Sequence, residues 1–265
     1  MSTLYSPVRV MRFSLPSAGG YFIWLLAWLL GLRPAHAQQP GKTVSPHQQA
    51  WFAYINQTRL STRWGVWTDL NLRRTDFLDR WNQNMIRLGA TYYLADNFRL
   101  TAGYVYAETY PARNQLIRPE HRPWQQIWWT RRYGRINTTQ WVRAEQRFLR
   151  RMQGDRLAEG YSFNWRFRYN LLAQLPLWGE PVVRPGVLNA VVQNEVFINA
   201  GRQITYNTFD QNRFFVGVSY PVNRSWLVQA GYMNQFIQTA AGNAYESNHT
   251  ARLFVFHNLD LRQKP

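Results

Sequence analysis

The chain has 265 residues, no cysteine, and 31 Lys plus Arg against 14 Asp plus Glu, a formal net charge of +17. Without cysteine, disulfides and thiolate metal centres are excluded as ways of holding the fold. A basic chain raises nucleic acid as a partner, but the charge is spread evenly and no binding motif accompanies it, so nucleic acid is not expected. Nearly all the basic residues are Arg, with Lys only at Lys42 and Lys264. That bias is either codon composition or a set of arginines aimed into a lumen or towards anionic lipid headgroups.

Residues 1–37 read as a cleaved secretory signal. Arg9 and Arg12 form a positive n-region, Tyr21 to Leu32 is a short apolar run, and Ala35-His36-Ala37 is a small-x-small cleavage pattern before Gln38. The apolar run is too short for a spanning helix, which needs about 20 residues. Translation from Met11 would give a signal of more usual length. With Arg9, Arg12 and Arg33 removed, and no acids among residues 1–37, the charge of +17 becomes +14. Export to the outer membrane is the expected destination, with 38–48 as a flexible lead and 49–265 as one domain.

From Trp51 the chain is a series of strand patterns separated by turn signals. Trp51 to Leu60 comes first. Trp64 to Arg73 follows, with Trp64, Val66, Leu70 and Leu72 opposite Asp69, Asn71 and Arg73. Met85 to Leu94 sets Ile86, Leu88, Ala90, Tyr92 and Leu94 against Arg87, Gly89 and Thr91. After Ala95-Asp96-Asn97, Phe98 to Tyr106 continues the alternation, with Arg99 on the polar face. Pro111 to Pro123 reads as a loop. Trp124 to Tyr133 and Ile136 to Leu149 form a hairpin around Gly134, and Arg143, Glu145 and Arg147 share one face of its second strand. Arg150 to Gly160 reads as a polar loop.

The strongest pattern is next. Tyr161, Phe163, Trp165, Phe167, Tyr169 and Leu171 alternate with Ser162, Asn164, Arg166, Arg168 and Asn170. A period of two places these sets on opposite faces of one strand. Leu188 to Asn199, Arg213 to Tyr220, Ser225 to Ile237 and Asn248 to Leu261 complete eleven candidate strands. Helical periodicity is absent.

The expected fold is all-β, an antiparallel transmembrane β-barrel of about 10–12 strands with short periplasmic turns and longer extracellular loops. The strands are long for a secreted β-sandwich, the alternative that also alternates. Aromatic residues crowd the apolar face towards strand ends, as they do at a membrane interface. Bacterial barrels are normally even-stranded, so either residues 38–48 supply a twelfth strand or one assignment is wrong. The hairpin from Leu88 to Tyr104 resembles the one from Val216 to Tyr232, each with Gly on the polar face of both strands, by duplication or by convergence.

Several short motifs occur in a fixed order: Gln49-Ala50-Trp51, Trp64-x-x-Trp67-x-Asp69, His121-Arg122-x-Trp124-Gln125-Gln126, Arg143-x-Glu145-Gln146-Arg147-Phe148, Arg166-Phe167-Arg168-Tyr169 and Asn194-Glu195-x-Phe197. Together they resemble the domain-of-unknown-function family 2490, a group of outer-membrane barrels without an assigned activity. The resemblance spans nearly all of 38–265. It implies a barrel and a location, and it transfers no catalytic residue.

The polar faces assemble a charge cluster: Asp69, Arg73, Arg87, Arg143, Glu145, Arg147, Arg166, Arg168, Glu195 and Arg213. Carboxylates among guanidiniums should pair through charge-assisted bonds. The cluster either plugs the lumen as structure or lines a narrow conduit, and its excess of Arg then predicts anion preference. An outer-membrane lipid-modifying enzyme is the alternative, with Ser247 and His249 the residues to examine. No G-x-S-x-G elbow, phosphate loop or metal-ligand His spacing is present, so no catalytic residue, metal or cofactor is expected. The expected partners are membrane lipids and lipopolysaccharide, the barrel-assembly and export machinery, and small anions.

Overall fold

In a computed structural model the structure describes residues 41–111, 116–179 and 183–262. The expected signal, 1–37, lies outside the described residues. Eleven strands follow one another: β1 (Thr43–Arg59), β2 (Trp64–Thr75), β3 (Arg80–Ala95), β4 (Phe98–Thr109), β5 (Arg118–Tyr133), β6 (Ile136–Gln153), β7 (Arg156–Pro176), β8 (Asn189–Ala200), β9 (Phe209–Pro221), β10 (Trp226–Gln238) and β11 (Ala244–Asp260). Each pairs with its sequence neighbours, and β1 closes on β11 to complete a barrel. No helix occurs among the described residues.

Closure resolves the strand-parity question differently from either expectation. All eleven strands stand, and residues 43–48 form no twelfth strand. With an odd number of up-and-down strands, the first and last run the same way, so β1 and β11 pair in parallel, from Thr43↔Ala244 to Arg59↔Asp260. Parallel bonds are evenly spaced though slanted, and they leave no free edge.

Three boundaries differ from the sequence reading. Residues 43–48, expected to be a flexible lead, belong to β1 because their backbone pairs with Ala244–His249. Residues 118–123, expected in a loop, open β5. They keep the strand path through two prolines, Pro119 and Pro123, pairing with β4 from Thr109↔Arg118 to Tyr104↔Pro123. The stretch 150–160 is not a loop either. β6 and β7 continue past a bulge at Arg150/Met152 and join at Gly154-Asp155, where Gly154 takes φ 58. Their pairing with β5 and β8 stops at Leu149 and Trp165, so this ribbon projects beyond the wall.

The alternation survives in three dimensions. On β7, Phe167, Tyr169 and Leu171 are exposed, while Asn164, Arg166, Arg168 and Asn170 are buried. Ile86 and Leu88 on β3, Phe214, Val216 and Val218 on β9, and Leu253 on β11 likewise face outward. A soluble monomer rarely carries a contiguous apolar patch beyond a few hundred Å², and here that patch wraps the wall. Below, the short-turn end is the end holding the connections 60–63, 96–97, 134–135 and 222–225; it also carries the long β7–β8 connection, 177–188.

Glycines in the repeated hairpins are cross-strand partners, Gly89↔Gly103 and Gly217↔Gly231. A Cβ on Gly231 would stand 2.3 Å from the Val216 carbonyl oxygen and 2.9 Å from the Phe215 ring. The missing side chains let an inward ring lie flat on the sheet: Phe215 over the second pair, Trp124 beside Gly89. Aromatic cover of sheet glycines restores the packing that glycine itself lacks.

Candidate functional site

All ten residues of the expected charge cluster point into the barrel, and five consecutive strands bring most of them into one network. Glu145 on β6 is its centre, with no solvent exposure. Arg166 Nε donates to Glu145 Oε2 at 2.8 Å, and Arg168 Nη1 to Oε1 at 2.6 Å. Arg122 and Arg143 stand 3.8 Å away. This follows from register, because Glu145↔Arg166 and Arg143↔Arg168 are direct partners across β6 and β7. Arg168 also pairs with Glu195 on β8, from Nε at 2.7 Å, and Arg213 on β9 lies 3.9 Å from the other Glu195 oxygen.

Three cluster members lie apart from this network. Asp69 accepts from Trp67 Nε1 at 2.6 Å, Asn71 Nδ2 at 2.6 Å and Arg87 Nη1 at 2.5 Å. All its partners come from β2 and β3, so the Asp69–Arg87 pair forms a separate clasp. Among the described residues Arg73 meets no carboxylate: Nη1 donates to Gln83 Oε1 at 2.8 Å and the guanidinium lies 3.7 Å from the Trp51 ring centre. The Arg213 guanidinium lies 4.9 Å from the same ring centre, so one indole takes two cations.

Sequence reasoning missed four charged members. Glu120 and Arg122 were assigned to a loop. On β5 they form a pair, with Arg122 Nε 3.0 Å from Glu120 Oε1, and Arg147 Nε donates to the same oxygen at 2.6 Å. Asp210, between the expected strands that end at Asn199 and begin at Arg213, accepts from Arg166 Nη1 at 3.2 Å. Arg252 shares an inward face with Asn248 and Thr250, and that alternation was the available signal. The inward aromatic residues Trp124, Phe197 and Phe215 carried no such signal, since a ring suits either face.

A cavity of about 700 Å³ runs among these side chains. Its lining extends from Thr109, Arg118 and Glu246 at one end of the strands to Gln57, Trp128 and Asn258 at the short-turn end. Eleven arginines line it with four carboxylates, Glu120, Glu195, Asp210 and Glu246. Asp69 and Glu145 lie fully buried beneath that lining. Eleven cations against these six anions leave a surplus of five positive charges.

Ser247 and His249 both face outward. Ser247 Oγ accepts from Asn234 Nδ2 at 3.0 Å, and His249 Nδ1 bonds the Tyr232 hydroxyl at 2.7 Å. His121 and His257 are likewise bonded to tyrosine hydroxyls, of Tyr104 and Tyr54. Among the described residues no group of three or more His, Cys, Asp or Glu is placed to hold a metal ion.

A family model described as "Protein of unknown function (DUF2490)" matches residues 48–246. The match takes in the whole Glu145 network and stops before Arg252. No curated protein and no solved structure matches the chain.

Proposed function

The chain belongs to the DUF2490 family, which carries no assigned activity, and on that premise we propose that it is an exported outer-membrane barrel whose lumen is a narrow, anion-preferring conduit. The observation that carries this reading is the cavity lined from one end of the strands to the other with a surplus of arginine. A ring of cationic side chains selects for anions by electrostatic attraction across a short distance. The apolar outward face supports membrane residence, since closed barrels are one of two architectures that satisfy every backbone group in lipid.

Carboxylates divide the arginines into two kinds. Those around Glu120, Glu145 and Glu195 are paired locally and brace the wall. Arg73, Arg99 and Arg252 rest on aromatic rings instead: Arg99 lies 3.6 Å above Trp128, and Arg252 lies 3.6 Å above Phe215. These keep their charge available to an ion in transit.

The test is membrane fractionation with unheated electrophoresis, then recording in planar bilayers under a salt gradient. The expected result is a heat-modifiable membrane protein with small discrete conductance steps and a reversal potential favouring chloride over potassium. Replacing Arg73 and Arg252 with Gln reduces that preference. A soluble protein without a heat-dependent shift overturns the membrane reading. The absence of conductance even with Arg166 and Arg168 changed to Ala makes the lumen a structural plug.

A further inference from the structure

Most of the arginines gather at one level of the lumen. Nine of the lining arginines lie seven to eleven positions from the short-turn end of their strands, as Arg143 does from Ile136 and Arg122 from Tyr133. Below them the lining mixes apolar and polar groups: Ile55, Trp128, Trp141, Leu172, Phe254 and Phe256 lie within six positions of that end, as do Arg99, Thr139, Gln193 and Gln229. These six apolar residues come from two sectors of the wall, β5 to β7 and β11 with β1. Leu172 and Phe254 both pack on the cluster of Trp51, Val191, Phe215 and Met233, which carries the apolar contact across the lumen from β7 to β1 and β11.

Arg252 stands at the junction. The inward face of β11 reads Thr250, Arg252, Phe254, Phe256, a cation directly above two rings. The Arg252 guanidinium is held by neutral groups, Nη1 donating to Gln193 Oε1 at 2.9 Å and Nη2 to Gln229 Oε1. Its Nε is buried without a hydrogen-bond partner, and the residue is 6% exposed. A buried donor without an acceptor is costly, and a full charge held only by neutral dipoles is more so. An arriving anion would relieve both.

We infer that the lumen binds an amphiphilic organic anion, with one acidic head on Arg252 and an aromatic or short aliphatic body against the apolar side chains of Leu172, Phe254 and Phe256 below. The inference deepens the conduit reading and rests on it. Hydrated inorganic oxyanions would gain from the arginines but not from these apolar side chains. An organic anion satisfies both at once. The cavity of about 700 Å³ also falls in the range of small-molecule sites, about 300–1,000 Å³, which combine apolar walls with a few placed polar groups.

The experiment is calorimetric titration of the full mature chain in lipid nanodiscs with phenylacetate, sulfate and benzyl alcohol, paired with conductance block by the same solutes. Phenylacetate should bind saturably and at least about tenfold more tightly than sulfate or benzyl alcohol, the loss expected when one charge-assisted hydrogen bond or the apolar contact is missing. R252Q should remove that advantage. R252K, which keeps the charge but not the planar fork, serves if R252Q fails to fold, and it should weaken phenylacetate. Phe256→Ser should weaken phenylacetate and leave sulfate unchanged. Equal binding of phenylacetate and sulfate, or full phenylacetate affinity in both Arg252 variants, overturns the inference. Conductance without phenylacetate preference sinks this inference alone, while binding without conductance sinks the conduit alone.

Discussion

Glu145 and Arg166 are direct cross-strand partners, and Arg166 meets a single carboxylate oxygen twice, with Nε at 2.8 Å and Nη2 at 2.6 Å. The other oxygen, Oε1, takes Arg168 at 2.6 Å. One buried carboxylate thus holds two guanidiniums that would otherwise repel each other from adjacent positions of the same strand face. Removing one member of a buried ion pair costs about 3–5 kcal/mol, because the remaining charge stays desolvated. Glu145→Ala should lower stability by about that amount, read as a fall in the urea midpoint of tryptophan fluorescence. An unchanged midpoint would show that water already solvates the network.

The parallel closure has a covalent test, and the chain has no native cysteine to confuse it. Phe52 and Leu253 are register partners on the outward faces of β1 and β11. Neighbouring strands lie about 4.8 Å apart, within disulfide reach. Phe52→Cys with Leu253→Cys should oxidise to a species of altered mobility on unheated gels. Phe52→Cys with Leu259→Cys, six positions out of register, should not. Cross-linking of the second pair alone would overturn the register.

Glycine substitutions should separate crowding from backbone freedom. Gly231→Ala places a Cβ 2.3 Å from the Val216 carbonyl oxygen and 2.5 Å from Gly217 Cα. Overpacking of this kind costs about 1–3 kcal/mol. Gly134→Asn, in a turn with φ 56 and open space around it, should cost less than about 1 kcal/mol, since Asn tolerates that conformation. Both are measured as shifts in the urea midpoint, and equal losses would contradict the crowding.

Trp51 takes two cations, Arg73 at 3.7 Å and Arg213 at 4.9 Å from its ring centre. Trp51→Leu keeps much of the apolar volume and removes the ring. It should cost more than Trp51→Phe by about 1–2 kcal/mol, the scale of a desolvated cation–π contact. Equal losses for the two variants would mean that volume alone matters there.

At the short-turn end, Asp96 hydrogen-bonds Arg59 at 2.5 Å. That bond, reinforced by the Arg59 charge, holds the Asp96 carboxyl below its ordinary value. A depressed folded value means that the contribution is present above the unfolded carboxylate pKa and is lost as pH falls through the folded one. Asp96 is well exposed, so the effect is small. Comparison of wild type with Asp96→Asn should show the difference in stability at pH 6 vanish as acid protonates Asp96, with carbon-13 titration of its carboxyl as the direct readout.

The strand count and the facing of every charged candidate were legible because a period of two is a local property. Arg166 and Arg168 cannot lie on one side of β7 without Phe167 lying on the other. Strand ends were less legible. Polar residues such as Arg150 to Gly160 suit an exposed ribbon as well as a loop, and prolines at 119 and 123 mimic loop chemistry on a strand that tolerates them. That error hid Glu120 and Arg122.

The sequence by itself determined the all-β pattern, the apolar outer face with its aromatic residues, and an inner face rich in arginine. Tertiary structure alone decided how these were joined. Pairing register chose Glu145 as the shared partner of Arg166 and Arg168 and left Arg252 with neutral ones. Ring closure decided that eleven strands suffice, because only the meeting of β1 with β11 fixes whether the last pair is parallel. It also brought Leu172 of β7 and Phe254 of β11 onto one apolar cluster, since those strands face each other only once the sheet curls on itself. Alternation fixes which way a side chain points; what it meets there depends on strands far away in sequence.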